Sequence, residues 1–281
     1  MNTNDICKVI NNIDSQVITN IVKRCFSGWK MMKNSQEQYY YTDINAILNG
    51  ILKNDDKICL WASRWSHLND PDEIKNGLKE LEKHETPKNV IEATFQILKS
   101  SHSISFSGHK DFLPMWKMYG DGGFGAMLIF DTKLLIDKWR GILQPCIYKD
   151  TKQFDDAQKY LFNPELHPEF NQLYNSQKTI VWLNLIAMYA SILKENNYCY
   201  EKETRIVGLG TLFFDEQREQ KYRLSNGKII PYVEVFMPKE LLKGICLGPL
   251  VDSSNKEILE EFLHDKGYDK AVVSMSKIHY K

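Results

Sequence analysis

Residues 38–63 read QYYYTDINAILNGILKNDDKICLWAS, and this stretch decides the fold class. Its first five residues are mostly aromatic, which predicts a short strand over 38–42. Asp43, or the threonine before it, can then cap a helix over 44–52, where isoleucine and leucine recur at helical spacing. A second strand follows at 57–63, rich in large apolar residues. The segment is therefore a strand, a helix and a strand joined by short connections.

The rest of the chain does not repeat this unit, and its predicted strands and helices do not alternate strictly. Further strands are predicted at 103–107, 124–130, 143–148, 203–209, 228–234, 244–247 and 271–274, and helices at 10–32, 72–83, 87–98, 111–119, 177–194 and 254–266. Asp131 is expected to cap one more helix directly after the strand at 124–130. Short strands that come partly in neighbouring pairs are typical of α+β proteins rather than of doubly wound parallel sheets. We expect a mixed or antiparallel central sheet, continuous or split, with flanking helices.

The domain organisation is predicted from changes in polarity along the chain. Residues 1–36 form an N-terminal helical extension in this interpretation, and residues 37–281 form a single α+β domain. Its segment 149–195 is assigned as a helical insertion, because it opens with a polar stretch containing Pro164 and Pro168 and continues into a long apolar helix.

Composition excludes several classes of function. Lys plus Arg and Asp plus Glu number 36 each, so the formal net charge is zero, and no basic stripe is present. A dedicated nucleic-acid-binding surface is therefore not expected. No run of about 18 apolar residues occurs, so no membrane span is expected. The N-terminus lacks the apolar segment of a secretion signal, which predicts a cytoplasmic protein.

The cysteines and histidines do not follow the spacing of a metal site. The six cysteines are far apart, and no CxxC or HExxH pair occurs among them and the seven histidines. We therefore expect no bound metal and mostly buried free thiols.

The acidic segment YEKETR supplies the main candidates for catalysis. Glu201, Glu203 and Arg205 alternate along a predicted strand and should face one side. A carboxylate can stabilise an oxocarbenium-like transition state and orient a ribose hydroxyl. If the two glutamates lie close together, one pKa should rise and provide an acid or a base. The alternative is a solvated edge strand with an ordinary Glu–Arg pair.

Three further polar groups are candidate ligand-binding residues. Asn69, Asp70 and Glu73 form a polar turn that either contacts a ligand or caps the next helix. Ser105 and Ser107 alternate on a strand, so both hydroxyls point the same way and suit a ligand amide or phosphate.

Two aromatic residues extend the list of ligand-binding candidates. Trp116 and Tyr119 share a helical face, from which they either stack on a flat ligand or pack in the core. No G-x-S-x-G elbow surrounds Ser105 or Ser107, which disfavours a serine hydrolase.

Several motifs together resemble an uncharacterised bacterial domain family of unknown function. They are LWASRWSHLNDPDE at 60–73, SISFS at 103–107, MWKMYGDGGFGAMLIFD at 115–131, YEKETRI at 200–206 and GICLGP at 244–249. Their order along the chain matches the family pattern, and the resemblance covers roughly residues 39–280. It implies no particular chemistry.

A more distant similarity links 38–63 to the opening of the ADP-ribosyltransferase fold. That fold carries an Arg or His, a Ser- or Tyr-containing strand and a Glu on three strands. The resemblance implies that Glu203 is the glutamate and that Tyr40 or Tyr41 stands where the Arg or His is expected. Ser63, at the end of the second strand, then becomes a further candidate for ligand binding.

Two main hypotheses of function remain open at this point. In the first, the protein is an ADP-ribosyltransferase-like or NAD-glycohydrolase-like enzyme, a bacterial toxin or anti-phage defence effector. Glu203 would stabilise the ribose cation of NAD, and Ser105, Ser107 and Tyr40 would position it. A macromolecular acceptor would be unidentified. In the second, the same cleft belongs to a non-catalytic module that binds a ligand or partner, which the absent Arg or His favours. A metal-dependent nuclease is the third alternative.

Overall fold

The computed structural model describes residues 36–67, 73–83, 86–138, 142–161, 175–208, 219–225 and 227–280. The predicted N-terminal extension, apart from its last residue, and the turn residues Asn69 and Asp70 lie outside these residues. Glu73 is described as the first residue of a helix, and its side chain is not among the described ones.

The strands carry most of the fold. Within the described residues they are β1 Glu37–Thr42, β2 Lys57–Arg64, β3 His102–Ser107, β4 Ala126–Asp131, β5 Ile142–Pro145, β6 Ile147–Tyr148, β7 Leu193–Lys194, β8 Glu203–Gly208, β9 Lys221–Ser225, β10 Lys228–Pro238, β11 Leu242–Leu247 and β12 Val272–Met275. Each strand predicted from the sequence has a counterpart with shifted bounds, but the one predicted at 143–148 is divided into β5 and β6, which belong to different sheets. The strand β7 lies at the end of what was predicted as a helix. The strand β9 and the extension of β10 were not predicted.

The helices lie between and around these strands. They are α1 Ile44–Ala46, which continues as the π-helical turn Ile47–Ile51, α2 Glu73–Lys83, α3 Lys88–Ser100, α4 Leu113–Tyr119, α5 Thr132–Lys138, α6 Lys152–Leu161, α7 Asn175–Ile192 and α8 Asn255–Asp265. Asp43 accepts a hydrogen bond from the Ala46 amide at 2.7 Å, and Asp131 accepts one from the Leu134 amide at 2.9 Å. Both predicted helix caps are therefore confirmed.

Ten strands of the described chain form one sheet in the order β12-β11-β4-β1-β3-β2-β10-β9, with β8 on β3 and β5 on β8. Its ladders are antiparallel except for the parallel pair of β11 and β12. A separate parallel pair joins β6 to β7. The prediction of an α+β fold with a mixed, mostly antiparallel sheet is confirmed. Pro145 ends β5, an edge strand of this sheet, as expected for a residue without an amide hydrogen.

The sheet is split at β3. Along one edge, β3 pairs with β8 over its whole length. On the other edge, β1 pairs with β3 only at Ser107, whereas β2 pairs with it only at Ser103 and His102. Between these pairs, the stretch 104–106 has no strand partner on that edge within the described residues. The strands β1 and β2 therefore pair with opposite ends of β3, and a gap lies between them at the middle of β3.

Each face of the sheet has its own core. One face buries a large aliphatic cluster from α1, α8 and the central strands. The other face buries a smaller cluster in which Tyr39, Tyr41 and Met127 pack against Met115 and Trp116 of α4. A glycine-rich turn, with Gly122 at φ 66°, ends α4 and leads into β4, whose first five residues are buried. This turn fixes α4 against the strands that border the gap.

The segment assigned as a helical insertion contains α6 and α7. The chain of α7 packs against α2 and α3, and its residues from Leu183 to Ile192 are buried. The strand β7 follows α7 directly, and its residue Lys194 contacts Glu203 of β8. Among the described residues, no helix has both the length and the hydrophobicity to cross a lipid bilayer.

Candidate functional site

A cavity of about 460 Å³ opens at the gap in the sheet. Residues from β1, β2, β3 and β8 line it together with side chains from α4, β7 and β9. The polar lining residues are Tyr39, Tyr40, Tyr41, Thr42, Asp43, Trp61, Ser63, His67, Ser103, Ser105, Ser107, Lys117, Tyr119, Asp121, Lys194, Tyr198, Glu201, Glu203, Arg205 and Arg223. A volume in this range is typical of small-molecule sites.

The strand register explains why the polar groups meet. Ser105 is paired with Arg205 across the ladder, and Ser107 is paired with Glu203. Residues directly opposite in a ladder share a face of the sheet. Residues two apart on one strand also share a face, so the odd-numbered residues of β3 and β8 point together towards the cavity.

Glu203 lies at the centre of a buried charge cluster. Its carboxylate accepts hydrogen bonds from Arg205 Nε at 2.6 Å, from an Arg205 terminal nitrogen at 2.9 Å and from Lys194 Nζ at 2.7 Å. Arg205 also donates to the carbonyl of Ser191 at 2.8 Å, and its guanidinium lies over the Trp65 ring at 5.0 Å from the centroid. All three charged side chains are nearly excluded from solvent.

Glu201 belongs to the same charge cluster, but it lies on a turn and not on the strand β8. The sequence predicted that Glu201 lies on the strand with Glu203, but β8 begins at Glu203. Glu201 ends a 3-10 turn, and Lys202 then adopts a left-handed conformation with φ 42°. The Glu201 carboxylate accepts hydrogen bonds from Lys194 Nζ at 2.6 Å and from the Tyr119 hydroxyl at 2.8 Å. The ammonium of Lys194 therefore bridges the two glutamates.

The pKa of Glu203 moves opposite to the direction that close carboxylates predict. Burial acts to raise this pKa, but the charges of Arg205 and Lys194 outweigh burial and hold it well below the usual range for a glutamate. For Lys194, burial acts to lower the pKa, whereas the attraction of Glu203 raises it overall. The expected rise in the pKa of one glutamate does not occur at Glu203, whose carboxylate is held in its ionised form by Arg205 and Lys194. An ionised carboxylate is suited to electrostatic stabilisation of a cation.

The two predicted serines differ in whether their hydroxyl groups already form hydrogen bonds within the protein. Ser107 is 2% exposed, donates to the Glu201 carbonyl at 2.8 Å and accepts from the His109 amide at 3.1 Å. Its hydroxyl is used within the protein. Ser105 is exposed, and no hydrogen bond to its side chain is found within the described residues. Of the two predicted serines, Ser105 is the one available to a ligand.

Of the aromatic residues predicted to bind a ligand, two line the cavity and one is buried in the core. Tyr40 and Tyr119 line the cavity, and Tyr40 packs edge-on against Phe106 at 6.0 Å between centroids. Trp116 is 0% exposed and does not line the cavity. Its indole donates to Asp111 at 2.8 Å and its ring packs edge-on against Tyr41 at 4.9 Å. The structure thus corrects the expectation that Trp116 stacks on a ligand, since the core already surrounds it.

Several lining residues were not selected from the sequence, and Lys194 and Arg223 are the two that matter most for the charge of the cavity. Lys194 is the first charged residue after a long apolar run, and a lysine at the end of a buried helix was the available signal. Arg223 lies on β9, a strand that was not predicted. Its side chain donates to Ser63 Oγ at 3.0 Å and lies over the Trp61 ring at 5.6 Å from the centroid.

The described part of the chain contains no group of three His, Cys, Asp or Glu side chains arranged to hold a metal ion. Asn69, Asp70 and the Glu73 side chain belong to the undescribed set, so their predicted contact with a ligand stays a prediction. Ser63 does line the cavity, at the end opposite to Glu203 along β3.

Comparison with known proteins identifies a domain but no activity. A family model described as "Protein of unknown function (DUF2971)" matches residues 115–206. The matched stretch runs from α4 to β8 and includes Tyr119, Lys194, Glu201, Glu203 and Arg205. It confirms the resemblance to an uncharacterised domain family. No curated protein and no solved structure significantly matches the chain.

Proposed function

We propose that the cavity at the gap in the sheet binds a small nucleotide-like molecule. One observation carries this proposal: residues from seven strands and one helix converge on a single polar cavity of about 460 Å³. Tyrosines, a tryptophan and hydroxyl groups are abundant in its lining. Such groups bind flat rings by stacking and bind sugar hydroxyls by hydrogen bonding.

Binding is favoured over catalysis because the carboxylates already have partners. Both oxygens of Glu203 are held by Arg205 and Lys194, and those of Glu201 by Lys194 and Tyr119. Two cations balance the two anions, which weakens the attraction that this cluster exerts on a developing ribose cation. The neutralised cluster is therefore better suited to lining a binding site than to taking part in a reaction.

Mass spectrometry of the purified full-length protein tests the binding proposal. Denaturation should release an intact nucleotide-like compound, or added NAD or ADP should raise the melting temperature. Ser105→Trp fills the cavity from an exposed position, so this variant should lose both signals. Ser253→Trp alters an exposed serine away from the cavity and should keep them. A wild-type protein that releases no compound and responds to neither nucleotide would contradict the proposal.

The second candidate is cleavage of the N-glycosidic bond of NAD, with or without transfer of ADP-ribose. The carboxylate of Glu203 on the cavity wall, which a lowered pKa keeps ionised at neutral pH, favours it, because an anion can stabilise an oxocarbenium-like transition state. Its readout is release of nicotinamide, measured by chromatography. Release by the wild type and its loss in Glu203→Gln would favour catalysis, whereas stable NAD in the presence of the wild type would leave binding alone.

A further inference from the structure

The end of the cavity farthest from Glu203 contains a positive charge that no carboxylate neutralises within the described residues. Arg223 reaches this end from β9 and contacts Ser63 and the Trp61 ring. Glu234 lies on the same face of the sheet, since it is paired with Trp61. Its carboxylate is bonded to Lys53 and Lys221, each at 2.8 Å. The nearby acid is thus already neutralised by two other cations.

Three hydrogen-bonding atoms at this end are buried and have no partner among the described residues. They are Arg223 Nε, Trp61 Nε1 and Ser103 Oγ. Ser103 is 2% exposed. Two of these atoms only donate hydrogen bonds, and the serine hydroxyl can donate as well. Buried polar groups in native proteins are nearly always satisfied, so the set indicates a missing acceptor.

The strand register places these donors around one corner. Ser103 and Ser63 are directly opposite each other on β3 and β2, and Trp61 lies two residues before Ser63 on the same face. Arg223 donates to Ser63 and covers Trp61. The corner is therefore formed by side chains from three strands of the sheet, β2, β3 and β9. We name it the Arg223 corner, consisting of Trp61, Ser63, Ser103 and Arg223.

We propose that the Arg223 corner binds the phosphate group of the nucleotide-like ligand, an inference that rests on the proposed function of the cavity. A phosphate offers three strongly accepting oxygens, and a guanidinium binds such oxygens with two parallel hydrogen bonds. Donors that approach from three strands suit a tetrahedral anion better than the flat, two-oxygen edge of a carboxylate. The phosphate would satisfy the three unpaired groups and neutralise Arg223.

The same argument gives the ligand a direction in the cavity. On β3, Ser103 is paired with Ser63 in the Arg223 corner, whereas Ser107 is paired with Glu203 in the charge cluster. Four residues of strand separate them, roughly 13 Å at about 3.3 Å per residue. At the far end, Glu201 and Glu203 already balance the charges of Lys194 and Arg205, so that cluster offers a phosphate no excess of positive charge. The phosphate thus lies at Arg223, and the sugar or the uncharged part of the ligand lies near Ser105 and the charge cluster.

Calorimetric titration of the full-length protein with inorganic pyrophosphate, ADP and adenosine tests this inference. The wild type should bind ADP at least tenfold more tightly than adenosine. Arg223→Gln removes the charge and should weaken ADP and pyrophosphate binding at least tenfold while leaving adenosine binding unchanged. Lys228→Gln, a matched loss of charge at an exposed position of the same hairpin, should change ADP binding less than twofold.

The outcomes separate this inference from the proposed function. Equal binding of ADP and adenosine, or unchanged ADP binding in Arg223→Gln, overturns the phosphate assignment and leaves the cavity as a nucleoside site. Failure of the wild type to bind all three compounds overturns both. Melting temperatures of the two variants within a few degrees of the wild type show that any loss concerns binding rather than folding.

Discussion

The ammonium of Lys194 lies 2.7 Å from Glu203 Oε2, and both side chains are at most 7% exposed. Eight residues of chain lie between the two, and they include a 3-10 turn and a left-handed residue. The contact therefore ties the end of the long α7 helix to the central sheet. It also fixes the wall of the cavity on which the charged residues lie.

Lys194→Met should destabilise the protein strongly. Removal of the ammonium leaves two buried carboxylates close together without the charge that bridges them. Loss of one partner from a buried ion pair typically costs about 3–5 kcal/mol. Urea denaturation should show this loss. Lys133→Met, which changes an exposed lysine on α5, should alter the free energy of unfolding by less than about 0.5 kcal/mol. Equal effects of the two substitutions would contradict the role assigned to the bridge.

Stability should fall in acid in a way that depends on Glu203. Its pKa in the folded state is depressed below the value of about 4.3 for an unfolded glutamate. The stabilisation from this carboxylate is thus complete well above that value, and it is lost as the pH falls towards the lower folded pKa. Lys194 has a raised pKa, so its contribution is lost only above about pH 10.4 and does not affect the acid range.

Measurement of unfolding between pH 7 and pH 3 checks this sign. The free-energy difference between the wild type and Glu203→Gln should be largest near neutral pH and should shrink as the pH falls below about 5. A difference that stays constant over the whole range would show that Glu203 is not held ionised in the folded protein.

Tyr119→Phe should cost less than Lys194→Met but should still be measurable. The substitution removes the hydroxyl that donates to Glu201 at 2.8 Å and leaves a buried carboxylate oxygen with one partner fewer. Hydrogen bonds to charged groups typically contribute about 1.5–3 kcal/mol. Tyr222→Phe, at an exposed tyrosine on β9, is the control and should stay within about 0.5 kcal/mol. A neutral Tyr119→Phe would mean that water replaces the hydroxyl at no cost.

Much of the fold could be predicted because local patterns determine it. Runs of aromatic and large apolar residues located the strands, helical spacing located the helices, and Asp43 and Asp131 were predicted as helix caps. Alternation on β3 correctly placed Ser105 and Ser107 on one face. The unpredicted strand β9 had a visible signal, since Asn226 and Gly227 separate it from β10 and Asn-Gly is a strong hairpin signal.

The chemistry of the site could not be predicted, because contacts between distant segments decide it. Spacing alone placed Glu201 and Glu203 on one strand, but the left-handed Lys202 breaks that strand between them. Arg205 and Lys194 together lower the pKa of Glu203, and the spacing of residues gives no sign that Lys194 lies beside it. Trp116 had the spacing of a ligand-stacking residue, and only the packing of Tyr41 against it shows that it belongs to the core.

The most direct test of the account is calorimetric titration of ADP into the wild type and into Ser105→Trp, because Ser105 is exposed in the middle of the cavity. We predict saturable binding with one site per chain in the wild type and at least a tenfold weaker affinity in the variant, with an unchanged melting temperature. Equal affinity in both proteins would place the ligand elsewhere, and absence of binding in the wild type would contradict the claim that this cavity binds a nucleotide.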